Sequence, residues 1–236
     1  MSWTELATCV FKDGELSLYV AEHGAFMIRA NGLELMNSRC HRSEDVLGAM
    51  AGALARKGGR PRNPRILIGG LGLGYTLAAV VKMLDGTGRI TAAEIAADVI
   101  TWYEHYFEPA LFAERPENLR LVQADVAALI REAGEASYDV IVLDVDNGPL
   151  PFAAAGNDYL YSTEGLGALA SALAENGVLL VWSGFEAPDF AGRAEQVGFD
   201  VACERVAIPD RPDLFHYIYR LARRPAGRDK QRITRP

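Results

Sequence analysis

The chain has 236 residues, 50% of them hydrophobic and 23% charged, with a formal net charge of -7. That is the profile of one globular domain large enough for a full core, and it excludes intrinsic disorder and fibrous repeats. The sequence contains no run approaching the ~18 uncharged apolar residues of a membrane span and no basic-then-apolar leader after Met1, so it reads as a soluble cytoplasmic protein with no membrane partner.

Charge is unevenly placed. From Arg223 onward six basic residues face the single acid Asp229, a +5 tail on a body of -12. An acidic body repels nucleic-acid phosphate and attracts cations, which points to a cationic small molecule or a basic partner rather than nucleic acid, although acidic faces also simply keep proteins soluble. Three cysteines, Cys9, Cys40 and Cys203, are too few and too scattered for a disulfide framework or zinc knuckle.

Taken in chain order, Leu16–Ile28 with its Glu22-His23-Gly24 turn predicts a β-hairpin, and Asn31-Gly32 marks a second turn. Ser43-Glu44-Asp45 opens a helix running to about Lys57, and a Pro/Arg-rich link follows. Strands and helices then alternate. Strands are expected at Arg65–Gly69, Arg89–Ile95, Leu119–Ala124, Tyr138–Val145 and Val178–Trp182, and helices at Tyr75–Leu84, Ala97–Phe112, Val126–Ala133, Thr163–Glu175 and Phe190–Val197. Such alternation predicts an α/β fold with a mostly parallel sheet and helices on both faces. Phe199–Ile208 and Leu214–Ala222 read as a closing hairpin. The expected divisions are a β-rich lid with a helix over residues 1–60, a ligand-binding domain over 61–222, and a basic disordered tail over 223–236.

Ile66-Leu67-Ile68-Gly69-Gly70-Leu71-Gly72-Leu73-Gly74 is a buried strand leaving through a glycine turn into a helix, the first unit of a nucleotide-binding sheet. The dinucleotide spacing fails in both frames, because its last position falls on Tyr75 or Leu77. Gly70-x-Gly72-x-Gly74 instead looks like the first motif of S-adenosylmethionine-dependent transferases. Three acids close successive strands. Glu94 is placed to accept hydrogen bonds from ribose hydroxyls, Asp125 to reach an adenine amine, and Asp144 to face the crevice, while each also has the form of a helix cap.

Over roughly residues 15–222 the chain resembles the spermidine synthase family of class I S-adenosylmethionine-type transferases. The resemblance is carried by the glycine loop, Ala93-Glu94-Ile95, Gln123-Ala124-Asp125, Tyr138 to Asp144, Leu160-Tyr161-Ser162 and Glu175-Asn176-Gly177-Val178. It implies a Rossmann-like, seven-stranded class I methyltransferase sheet with a small N-terminal β-rich lid, a homodimer, and S-adenosylmethionine or its decarboxylated form as co-substrate, without a metal. The implied nucleoside site comprises Gly70, Leu71, Gly72, Gly74, Glu94, Ile95, Asp125, Val126 and Asp144. Asp144 and Asp146 are the implied catalytic acids, and Asn147, Tyr161 and Glu44 are expected at the acceptor.

The departures bear on the chemistry. Gly72 stands where the family carries the Asp that holds the donor's amine; Leu35 and Ser43-Glu44 fall near the family's lid residues; and the strand ends Asp144-Val145-Asp146-Asn147 rather than with the family's spacing. Asp146-Asn147-Gly148-Pro149 is also a good turn sequence. Trp182 fits either a stacking residue or core. His41, Cys40 and Glu44 lack metal-site spacing. The expected function is transfer of an alkyl group to an amine, as in polyamine aminopropyl transfer, with small-molecule methyl transfer and a non-catalytic nucleoside-binding protein as the alternatives.

Overall fold

The computed structural model describes residues 2–11, 14–57, 61–145, 148–149, 158–209 and 211–224. Four antiparallel strands open the chain: β1 (Trp3–Phe11), β2 (Gly14–Ala21), β3 (Phe26–Ala30) and β4 (Leu33–Asn37). The expected hairpin is β2–β3, with Leu18 opposite Ile28. β1 was not expected. Its outward positions are exposed, Val10 at 84%, so it lacks the buried alternation that marks a strand in a sequence.

Helix α1 (Arg42–Ala55) leads from this lid to a seven-stranded sheet made of β5 (Arg65–Gly69), β6 (Arg89–Glu94), β7 (Leu119–Gln123), β8 (Tyr138–Leu143), β9 (Leu173–Ser183), β10 (Phe199–Ile208) and β11 (Arg211–Arg223). The strand order is β10-β11-β9-β8-β5-β6-β7; β7, β6, β5, β8 and β9 run parallel, and the β10–β11 hairpin packs antiparallel onto β9. Val140, Ile141, Val142 and Leu143 are all buried, because central β8 is covered on both faces. The connecting helices are α2 (Tyr75–Leu84), α3 (Ala97–Trp102), α4 (Glu108–Leu111), α5 (Val126–Glu132), α6 (Asp158–Tyr161), α7 (Thr163–Ala172) and α8 (Pro188–Val197).

Several boundaries differ from expectation, three of them with a visible cause. The helix after β6 is interrupted by a π-helical turn, Tyr103–Phe107. Helix α7 stops at Ala172 rather than Glu175, because Leu173 is already paired to Tyr138 and starts β9. Arg223 closes β11, and Arg224 donates to Asp200 and to the Phe199 carbonyl, so both belong to the sheet and not to the tail. The remainder of the expected tail lies outside the described residues.

The lid packs on the helical segment that follows β6, with the Phe26 ring 5.0 Å from that of Phe107 in the π-helical turn. Among the described residues, no helix is long and apolar enough to cross a membrane.

Candidate active site

The parallel strands point their carboxyl ends at one crevice, where ligands of such sheets bind. Gly70 leaves β5 with φ +90°, and an added β-carbon would lie 2.0 Å from the backbone oxygen of Asp144. Only glycine lets the loop lie flat on the end of β8. Asp144 N–H donates to Gly69 and Gly70 N–H to Ala93, which locks the loop between β8 and β6. At Gly72, φ +51°, an added β-carbon would be 2.6 Å from Met36 Sδ. The lid strand β4 therefore fills the place next to Gly72 with a thioether.

Glu94 sits at the end of β6 and accepts from Leu71 N–H through Oε2 at 3.1 Å and from Ala96 N–H through Oε1 at 3.0 Å. Each carboxylate oxygen has two acceptor positions, so these bonds orient the group and leave capacity for ribose hydroxyls. Ile95 beside it is 40% exposed, an apolar surface at the crevice. Asp125 caps α5, accepting from Ala127 N–H at 2.8 Å, and its other oxygen is 3.9 Å from Arg131. Val126 is buried against Gly69, where it supports the loop from beneath. A glycine cradle with acids fixed at the two adjacent strand ends fits a nucleoside. The fold is that of the spermidine synthases.

The spermidine synthase of Thermotoga maritima aligns with a TM-score of 0.71 and 18% identity over 93% of this chain and 72% of its own. A spermidine synthase in complex with the transition-state analogue AdoDATO aligns at 0.74 and 19%, covering 93% and 74%. A probable spermidine synthase from Corynebacterium glutamicum ATCC 13032 aligns at 0.66 and 16%, covering 92% and 79%. No protein-family model and no curated protein sequence matches the chain.

Beside the glycine loop the crevice is built around Asp144. Thr76, in the first turn of α2, gives its one hydroxyl proton to Asp144 Oδ2 at 2.6 Å, and the Glu44 carbonyl on α1 lies 3.4 Å from the same oxygen. Burial pushes the Asp144 carboxyl above the usual carboxylate range, with the Thr76 bond opposing. Burial, reinforced by the Asp144 charge, pushes Glu44 up as well. The two carboxyls thus hold protons more readily than ordinary acids, as suits groups that must take one up near neutral pH.

Tyr161 is buried, its ring edge-on to Phe190 at 5.8 Å, and its hydroxyl donates to the Val145 carbonyl at 3.4 Å. It holds the backbone at Val145, two residues after β8. Asp146 and Asn147 lie outside the described residues. Trp182 is partly buried with its ring 4.9 Å from that of His216, and His41 Nδ1 lies 2.9 Å from Asp45 while its ring stacks on Tyr75.

Thr76 and His216 were not foreseen. A threonine two residues after the loop has a readable position at the helix start. His216 has no local signal, because long-range strand pairing delivers it to Ser43, 173 residues away in sequence. The large open concavity of about 780 Å³ near Asn63, Arg89, Pro116 and Arg120 is at the opposite, amino-terminal end of the parallel strands and touches none of these groups.

Proposed function

We propose that the protein is a transferase that binds a sulfonium nucleoside over the Gly70–Gly74 loop and alkylates an amine held at Asp144 and Glu44. The observation that carries this reading is the pair of desolvated carboxyls beside a glycine cradle whose neighbouring strands end in fixed acids. S-adenosylmethionine or its decarboxylated form, when bound, supplies an activated alkyl carbon and a thioether leaving group.

Alkylamines are mostly protonated at neutral pH, so an acceptor enters as ammonium and must lose a proton before its lone pair is available. Ionised Asp144 and Glu44 attract the cation into the acidic crevice, and Asp144 takes the proton. Thr76 keeps the receiving carboxyl in one orientation throughout, which favours in-line approach of the freed nitrogen. The nitrogen forms a C–N bond as the C–S electron pair passes to sulfur, and the proton remains on the carboxyl pair.

Met36 beside Gly72 favours methyl transfer as a second reading. The family's donor-binding Asp is replaced by glycine, and a thioether fills the adjoining space, so the loop does not offer an anion to a primary amine of the donor. Calorimetry with each sulfonium compound separates the two. Tight binding of the decarboxylated donor supports aminopropyl transfer, whereas binding of S-adenosylmethionine alone overturns it in favour of methyl transfer.

A further inference from the structure

Glu44 is held from a direction that the proposed chemistry does not use. Ser43 is buried at 2% exposure in the first turn of α1, and its hydroxyl donates to Glu44 Oε2. The same Ser43 Oγ is 2.7 Å from His216 Nδ1 on β11. A serine hydroxyl has one proton, so while it donates to Glu44 its oxygen can only accept from His216 Nδ1–H. The chain of donation therefore runs from His216 through Ser43 to Glu44, and the imidazole tautomer is fixed with hydrogen on Nδ1. The Trp182 ring, 4.9 Å away, limits the positions the imidazole can take.

We propose that His216 is a positioning residue which, through Ser43, holds the Glu44 carboxylate ionised and oriented toward the acceptor. This rests on the transferase reading for its role in turnover, but the coupling itself is a property of the free protein. A neutral imidazole suits the role, since it donates one directed hydrogen bond without adding a cation that would repel an ammonium substrate. Burial lowers the His216 pKa and so favours that neutral form.

The other titratable groups around Glu44 act differently. Asp144 at the end of β8 and Asp45 on α1 raise its pKa. Tyr75 on α2 is stacked with His41, which in turn contacts Asp45. From β10, Arg205 lies over Phe215, on the strand face opposite His216. The Ser43 bond is thus the side-chain contact that opposes protonation of Glu44.

The test is the Glu44 titration midpoint in the full chain, read by carbon-13 NMR of glutamate-labelled protein and assigned with Glu44→Gln. Ser43→Ala should raise the midpoint by about one pH unit for loss of a charge-assisted hydrogen bond, and His216→Phe, which leaves Ser43 free to turn away from Glu44, should raise it by a smaller but measurable amount. His216→Asn, whose amide can donate from the Nδ1 position, should restore it. An unchanged midpoint in His216→Phe, or in Ser43→Ala should the former not fold, overturns the proposal, as does failure of His216→Asn to restore it. Turnover separates the two claims. If the wild type alkylates amines, the acidic limb of its pH–rate profile should move with the NMR midpoint; if it does not, the transferase reading fails while NMR still decides the coupling.

Discussion

The β-carbon that Gly70 lacks would stand 2.0 Å from the backbone oxygen of Asp144, so the glycine loop and the end of β8 lie too close together for any side chain between them. The loop thereby fixes the height of Asp144 at the end of β8.

Gly70→Ala should disturb both at once. The positive φ costs an alanine roughly 1–2 kcal/mol, and displacement of backbone at β8 adds a similar amount. Thermal unfolding should show a melting temperature lower by about 5–10 °C. Titration calorimetry should show loss of nucleoside binding in the fraction that still folds. Wild-type binding in this variant would mean that the loop is not the cradle.

Glu44 and Asp144 also make stability depend on pH. A carboxyl whose pKa is raised by folding favours the folded state fully below its unfolded value, near 4, and loses that contribution as pH rises through the folded value. Both carboxyls are shifted upward, so the ionised pair opposes folding at pH 8. Glu44→Gln should therefore be more stable than wild type at pH 8, by on the order of 2 kcal/mol, with the gain vanishing near pH 4. Melting curves at the two pH values check this, and a gain independent of pH would contradict it.

Met36 and Gly72 bear on donor choice. Asp is tolerated in the left-handed region that Gly72 occupies at φ +51°, but Met36 Sδ blocks its β-carbon. The double variant Gly72→Asp, Met36→Ala should bind the decarboxylated donor more tightly, by roughly tenfold for one added charge-assisted hydrogen bond, and S-adenosylmethionine no better. The single variant Gly72→Asp should gain nothing. Competition calorimetry distinguishes the cases.

Asp139 provides a control remote from the crevice. Its carboxylate, 4% exposed, accepts from Arg65 N–H at 2.7 Å and from the Arg65 guanidinium at 3.1 Å, joining the starts of β5 and β8. Asp139→Ala leaves a backbone donor without its partner and should cost roughly 2–3 kcal/mol in denaturant unfolding. Nucleoside affinity should be unchanged, since the contact lies at the opposite end of the strands.

The parallel sheet was legible because its signals are local. Runs such as Val140–Leu143 have no polar face, and the turn after β5 is spelled in glycines. The strand-end acids were legible for the same reason, although Asp125 serves as the cap its position before Val126 equally suggested. What escaped depends on distant pairing. β1 has half its side chains in solvent, Leu173 joins β9 through Tyr138, and His216 reaches Ser43 only because β11 returns antiparallel along β9. Tyr161, which the resemblance implies at the acceptor, fills the core with its ring against Phe190 and brings its hydroxyl to the Val145 carbonyl.

The most direct test of the account is product mass spectrometry at pH 8 for the wild type and Asp144→Asn, each supplied with both sulfonium donors and a panel of alkyl amines. The account predicts an alkylated amine and a thioether nucleoside from the wild type. Asp144→Asn should retain donor binding with turnover reduced by about 10²-fold or more. Wild-type turnover in Asp144→Asn, or no alkylated amine from the wild type with either donor, would contradict it.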